Sequence, residues 1–322
     1  MTHKFNPLHS IQAPGAVVMV RPHGFSPNPQ TAGDNAFQSS AGQLDARARA
    51  AAAHAEASAL AAALVQAGVR VHLFEDQGEA RTPDSVFPNN WFSTHAGGHV
   101  ALYPMFSPNR RAERRVDVID MLKASYRVQD VIDYSGLEAD RLFLEGTGAM
   151  VLDHVERVAY VVRSKRASAV ALERFCTHFN YEPMAFEALD RAGHAVYHTN
   201  VMLCIGSAFV LIAPAMIRDP ARRAEVLERL GQSGRDIIAL DEDQVGEFGA
   251  NAIELSTPSG PLLAMSSRVL ASVDAGQRRR IEASARIPAV PVPTIELAGG
   301  SVRCMLAGVH LAPRAQEASP CM

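Results

Sequence analysis

The chain has 322 residues, 48% of them apolar and 20% charged, with a formal net charge of −3, the make-up of a globular protein with a sizeable core and, at this length, of one closed barrel or propeller. Lacking net basicity and any aromatic-basic stripe, it is not expected to bind nucleic acid or an anionic membrane, whereas homo-oligomerisation stays open. No apolar run reaches a membrane span, Met1–Gln12 lacks the layout of a signal peptide, and Cys176, Cys204, Cys304 and Cys321 form no CxxC pair, so a reducing cytoplasm is the expected setting.

Ala16–Val20 reads as a strand, Leu44–Ala67 as an alanine-rich helix stopped by Gly68, and Val69–Phe74 as a second strand. Trp91–Pro104 then reads as two strands turning at Gly97-Gly98, followed by a helix-like stretch, Arg110–Lys123, and a short strand, Val128–Ile132. The order returns at Ala149–Val162, which turns over Asp153–Arg157 and leads to a helix at Ala167–Phe179. It returns at Val201–Pro214, with a helix capped by Asp219-Pro220 and stopped by Gly231. A fourth copy is Ala252–Met265, turning over Thr257–Gly260, with a helix at Asp274–Ser284 and a strand at Ala289–Val292. The last hairpin, Ser301–Leu311, has no helix of its own unless the chain closes on its beginning. The expected architecture is therefore α/β: five strand-strand-helix-strand units in a closed five-fold arrangement, one unit shared by the two chain ends, in a single domain over 1–322.

Asn90, Glu145, His198, Asn251 and Cys304 each fall at or just before the first strand of a hairpin, at separations of 55, 53, 53 and 53 residues. Arranged around an axis, such positions converge at one end and gather a carboxylate, an imidazole, two amides and a thiol. In 195–205, strand alternation sets His198 and Asn200 on one face; read alone, His198 is better explained as a core histidine. Cys304 follows Gly299-Gly300, which permit close backbone approach, and adjoins Arg303, both favouring a thiolate. Cys176, Cys204 and Cys321 read as structural. Glu145 serves either as a general acid/base that orients His198 or as a turn carboxylate in water. The stretch 82–92, with Asp84, Phe87, Asn89 and Asn90, reads as the wall of a pocket for a small polar ligand, or as a turn. No cofactor and no metal is expected: Gly97-Gly98 breaks the helix that His95 and His99 would need, Leu240-Asp241-Glu242-Asp243 lacks the periodic oxygens of a calcium loop, and no phosphate-loop motif occurs.

Taken together, the residues resemble the guanidine-modifying superfamily of arginine deiminases, dimethylarginine hydrolases and amidinotransferases, and most of all its branch of citrulline-utilisation hydrolases. The resemblance runs from Met19-Val20-Arg21-Pro22 and Asn28-Pro29-Gln30-Thr31 through Asp84-Ser85-Val86-Phe87, Glu145-Gly146-Thr147-Gly148 and His198-Thr199-Asn200 to Gly300-Ser301-Val302-Arg303-Cys304-Met305. It implies the five-bladed pentein propeller and a cofactor-free enzyme breaking carbon–nitrogen bonds, with Cys304 as nucleophile, His198 as general acid/base, Glu145 as its partner and Asp84 as a substrate-holding acid. Arg21 or Arg268 would hold the substrate carboxylate. The chain departs from the family pattern at Asn90 and Asn200, where acids are usual, and at Gly148, where an acidic pattern would end. A guanidinium only donates hydrogen bonds, whereas a ureido group also carries an acceptor oxygen. The two amides therefore point to a ureido amino acid, citrulline first, over arginine.

Overall fold

The computed structural model describes residues 10–39 and 44–315; Cys321 lies outside them. Among the described residues there are five sheets, each of three strands. In chain order the strands are β1 (Ala16–Pro22), β2 (Arg70–Asp76), β3 (Phe92–His95), β4 (His99–Leu102), β5 (Asp130–Asp133), β6 (Met150–Asp153), β7 (Val158–Val162) and β8 (Glu182–Phe186). They continue with β9 (Leu203–Ile205), β10 (Phe209–Ile212), β11 (Asp236–Ala239), β12 (Ile253–Thr257), β13 (Gly260–Ser266), β14 (Ala289–Val290) and β15 (Ala307–Gly308).

Every sheet has the same plan: a middle strand pairs antiparallel with an inner one and parallel with an outer one, as β4 does with β3 and β5. A parallel pair needs a long crossover, and helices supply it: Ala46–Gln66, Val116–Ser125, Ala169–Phe179, Pro220–Gly231 and Ala275–Glu282. Local chemistry sets their ends. Asp219 caps its helix on the Ala221 N–H with Pro220 in the first turn, and Asp274 forms a capping box with Gln277. The first helix buries Ala53, Ala57, Leu60, Ala61 and Leu64 at three- and four-residue spacing against its sheet. After it the chain reverses at Gly68, whose φ of +96° suits glycine.

The ring closes as the repeat order requires. β1 pairs in parallel with β2 and antiparallel with β15, with Val17 opposite Gly308 and Val18 opposite Ala307. Three details differ from the sequence reading. Thr199–Val201 is a 3-10 turn, so strand alternation does not set His198 beside Asn200. Ser301–Leu306 is also a turn, with Cys304, Met305 and Leu306 each donating to the carbonyl three residues back, and only Ala307–Gly308 is strand. The stretch from Arg110 divides into a 3-10 helix, Pro108–Glu113, and an α-helix, Val116–Ser125.

Candidate active site

A single kind of turn carries the candidate residues. Ahead of each inner strand the chain makes a short 3-10 or helical turn: Pro88–Asn90 before β3, Gly146–Ala149 before β6 and Thr199–Val201 before β9. Residues 248–251 turn ahead of β12 and 301–306 ahead of β15. Asn90 ends the first of these turns, Glu145 and His198 stand at the N-caps of the next two, and Asn251 and Cys304 lie in the last two. The five-fold arrangement brings them together.

His198 Nε2 lies 2.9 Å from Glu145 Oε2, both side chains being buried. Glu145 Oε1 accepts from the Phe106 N–H at 3.0 Å, and Oε2 also accepts from Arg166 at 3.3 Å. Burial pushes the Glu145 carboxyl up, but Arg166, the hydrogen bond with His198 and Arg110 outweigh it and hold the group well below the usual carboxylate range. Burial pushes His198 down to about 4 against the pull of Glu145, helped by Arg166 and Arg110. The ring is then neutral at neutral pH, Nε2–H donates to the carboxylate, and Nδ1 carries the lone pair. That nitrogen faces Gly148, where an added Cβ would lie 2.8 Å from it.

The Cys304 sulfur accepts from Asn251 Nδ2 at 3.2 Å and from Asn200 Nδ2 at 3.4 Å. Asn200 and Asn251, expected on the substrate, thus sit on the thiol. Phe87 packs over Gly300 beside it, and a Cβ there would lie 2.9 Å from the ring. Cys176 and Cys204 are buried thiols pushed up to about 12 by desolvation, as a structural reading requires.

Cys304, His198, Asp84, Asn90 and Phe87 line one small cavity, together with Arg110 and Arg166. Arg110 holds Glu113 through two 2.9 Å bonds, donates to Asn90 Oδ1 at 3.3 Å and lies 3.6 Å from Asp84. Asp84 Oδ2 accepts from Asn28 at 2.8 Å. Three buried atoms of these residues, Asp84 Oδ1, Asn90 Nδ2 and Asn200 Oδ1, have no hydrogen-bond partner among the described residues. The segment over the cavity is held by Asp34, which accepts from Arg166 at 2.6 Å, and by Asn35, which donates to the Ala298 carbonyl at 3.2 Å.

Three expectations are corrected. Arg21 is spent on Glu75, with its Nε 3.0 Å from the carboxylate, and on Ser58, and it does not reach the cavity. Arg268 pairs with Glu247 and lines a neighbouring cavity with Phe37 and Phe248. The buried Asn89 side chain does not line the site; its backbone carbonyl accepts from Thr147 at 3.2 Å. The guanidinium groups at the cavity are those of Arg110 and Arg166, which no motif singled out. Arg166 lies 21 residues beyond Glu145 and is set there by tertiary contacts: its carbonyl accepts from the Glu145 N–H at 3.1 Å and its guanidinium pairs with Glu145 and Asp34.

Five sheets of this plan, with a thiol, an imidazole and a carboxylate on the turns at one end of the ring, define the guanidino-modifying pentein superfamily. Within it the chain belongs to the N,N dimethylarginine dimethylhydrolase family, whose eukaryotic model matches residues 21–311. No curated protein matches the sequence. The fold is similar to that of the substrate-bound N-terminal domain of ArgZ, an arginine dihydrolase from the ornithine-ammonia cycle in cyanobacteria. The identity is 17% and the TM-score 0.68, over 92% of this chain and 98% of that one. AgrE in complex with L-arginine gives 16% and 0.72 over 94% of this chain but 41% of its own. A dimethylarginine dimethylaminohydrolase in adduct with S-methyl-L-thiocitrulline gives 15% and 0.61, over 91% and 98%. Among the described residues, no helix is long and apolar enough to cross a membrane.

Proposed function

We propose that the chain is a cysteine-dependent hydrolase of a ureido amino acid, citrulline being the preferred substrate. The observation that carries this reading is an unpartnered donor on Asn90 together with an unpartnered acceptor on Asp84 in the cavity that Cys304 lines. Arg110 occupies Asn90 Oδ1, so the amide's free group is its donor, and Asp84 Oδ1 is a free acceptor. Buried polar atoms left unpaired are costly. A ureido group satisfies both, its oxygen accepting from Asn90 and its terminal nitrogen donating to Asp84, whereas a guanidinium offers nothing for Asn90 to donate to.

In this mechanism His198 Nδ1 takes the thiol proton as the Cys304 sulfur attacks the ureido carbon, and Asn90 donates to the oxyanion that forms. The imidazolium, stabilised by Glu145, returns the proton to the departing δ-amine, and ornithine leaves. Water, deprotonated by the same nitrogen, displaces the thiol from the S-carbamoyl cysteine. The product is carbamate, which decomposes to ammonia and carbon dioxide. The whole sequence consumes one water, spent on the S-carbamoyl cysteine, and the carbamate breaks the second carbon–nitrogen bond without another.

A second reading, hydrolysis of a guanidino amino acid, is favoured by the free oxygen of Asp84, which suits a cation, and by the family's name. Proton NMR of citrulline and, separately, of arginine with the protein and its Cys304→Ala variant distinguishes the two. Ornithine and ammonia formed from citrulline, only with the thiol present, is the expected result. Conversion of arginine to citrulline with no further reaction would overturn the ureido assignment and leave Cys304 as nucleophile; conversion of arginine through citrulline to ornithine would make the chain a dihydrolase, as ArgZ is described.

A further inference from the structure

Of the two features expected to favour a thiolate, Gly299-Gly300 line the cavity with Cys304, whereas the Arg303 guanidinium points to the other side of the turn. The Arg303 guanidinium donates to the Leu306 carbonyl at 3.1 Å and lines a separate cavity behind the turn with Cys204 and Glu254. His198 is held neutral, so it does not supply the imidazolium of a thiolate–imidazolium pair. The donors in contact with the sulfur are side-chain amides.

We propose that Asn251 and Asn200 together form a thiolate holder that sets the ionisation of Cys304, a role that rests on Cys304 being the nucleophile. The orientation of Asn251 is fixed by its other end. Its Oδ1 accepts from the Arg303 N–H at 3.0 Å, which leaves Nδ2 on the sulfur at 3.2 Å. Flipping the amide would set its oxygen against the sulfur lone pairs and its NH2 against the Arg303 N–H, losing both bonds. Asn200 supplies the second donor at 3.4 Å. Asn251 and Asn200 are 0% and 1% exposed, so water does not compete for these bonds. Hydrogen bonds to an ionised acceptor are roughly twice as strong as those to a neutral one, and the two amides therefore favour S⁻ over S–H.

The other charges around the sulfur act in opposed sets. Asp84 is set against Arg110, Glu145 lies behind His198 and against Arg166, and Tyr197, buried beside Arg166, stays protonated. Arg303 lies behind the turn but still interacts electrostatically with Cys304, adding a cation's pull to that of the two amides. An amide keeps its protons at every accessible pH, so the holder works where the histidine is uncharged. It lowers the cost of passing the thiol proton to a weakly basic His198. It also gives a reason for the amide at position 200: an aspartate there would face the thiolate with a like charge.

The test measures alkylation of Cys304 by iodoacetamide against pH, without substrate, in the full chain, with the Cys304 peptide quantified by mass spectrometry so that the other three cysteines do not enter the reading. Asn251→Ala and Asn200→Ala should each raise the inflection by about one pH unit, an approximately tenfold loss of thiolate below it. Asn251→Asp retains an oxygen for the Arg303 N–H, so the turn persists, but it replaces the donor with an anion, and its inflection should rise further than that of Asn251→Ala. Variants whose turnover falls while the inflection stays at the wild-type value would overturn the proposal, as would an Asn251→Asp protein that alkylates like wild type. Turnover retained by Cys304→Ala would instead overturn the nucleophile assignment, an outcome read independently of the inflection.

Discussion

In the proposed mechanism His198 acts as a base because it is uncharged at neutral pH. Burial lowers it to about 4 and Glu145 raises it, so the carboxylate determines how far it falls. As pH drops through that value the ring gains a proton and loses the lone pair that accepts the thiol proton. Turnover should therefore have an acid limb low on the pH scale, belonging to the coupled His198–Glu145 pair. Glu145→Gln removes the group that favours the imidazolium, so kcat/KM should fall by about 10²–10⁴ and the acid limb should move to lower pH. A pH–rate profile of the variant checks this, and a limb moving upward would show that Glu145 does not stabilise the protonated ring. Cys304, His198, Glu145 and Asn90 were legible because each is a polar residue beside an apolar strand, and Asp84 because it stands in a polar stretch among aromatics that matches a family motif. Arg110 and Arg166 were not, because an arginine in a polar stretch looks like any solvated arginine until its buried partners are known.

The turn before each inner strand is the element on which the site depends, and Gly148 shows how tightly two turns fit. A Cβ at Gly148 would lie 2.2 Å from Asn90 Nδ2 and 2.8 Å from His198 Nδ1. The amide at position 90 and the missing side chain at 148 are thus one feature: Asn90 fills the space that a residue at 148 would need. Gly148→Ala should cost at least about tenfold in kcat/KM by displacing either the amide or the imidazole, since loss of one oxyanion donor alone costs about 10²–10³. Gly136→Ala, with nothing within 4 Å of its added Cβ, is the control expected to retain activity. Steady-state kinetics on both checks the claim, and a Gly148→Ala enzyme matching the control would refute it. Strand alternation failed at 199–201 because a 3-10 turn interrupts the period of two, although His198 and Asn200 still enter the same site.

At the scale of the molecule, the ring also encloses titratable groups unrelated to the chemistry. His95 and His154 are buried and His310 is half-buried; like His198, all three are lowered chiefly by desolvation, His310 to about 4. Ser93 bonds to His95 at 2.7 Å and Tyr181 to His154 at 2.9 Å, while the His154 and His310 rings stack at 3.8 Å. Unfolding returns each to an ordinary value near 6.5, so below that pH the unfolded chain binds protons that the folded one refuses. Their contribution to stability is complete above about 6.5 and is lost progressively as pH falls below it, at roughly 1.4 kcal/mol per pH unit for each fully affected histidine. Urea unfolding at pH 7 and pH 5 should show a loss exceeding the roughly 2 kcal/mol that one such histidine gives, and an unchanged midpoint would mean that the folded ring admits the protons.

What the sequence alone determined was the repeat: strand periodicity, caps such as Asp219 and stops such as Gly68 are local, and five units with one left incomplete imply closure. It also placed the thiol, imidazole and carboxylate, because unusual residue types recurred at one position of the repeat. Only the tertiary structure decided that Asn200 and Asn251 reach the sulfur, that Arg21 and Arg268 serve surface pairs, and that Arg110 and Arg166 enter the cavity. Those outcomes depend on contacts between turns more than 20 residues apart and on which charges are desolvated, and neither periodicity nor spacing carries that information.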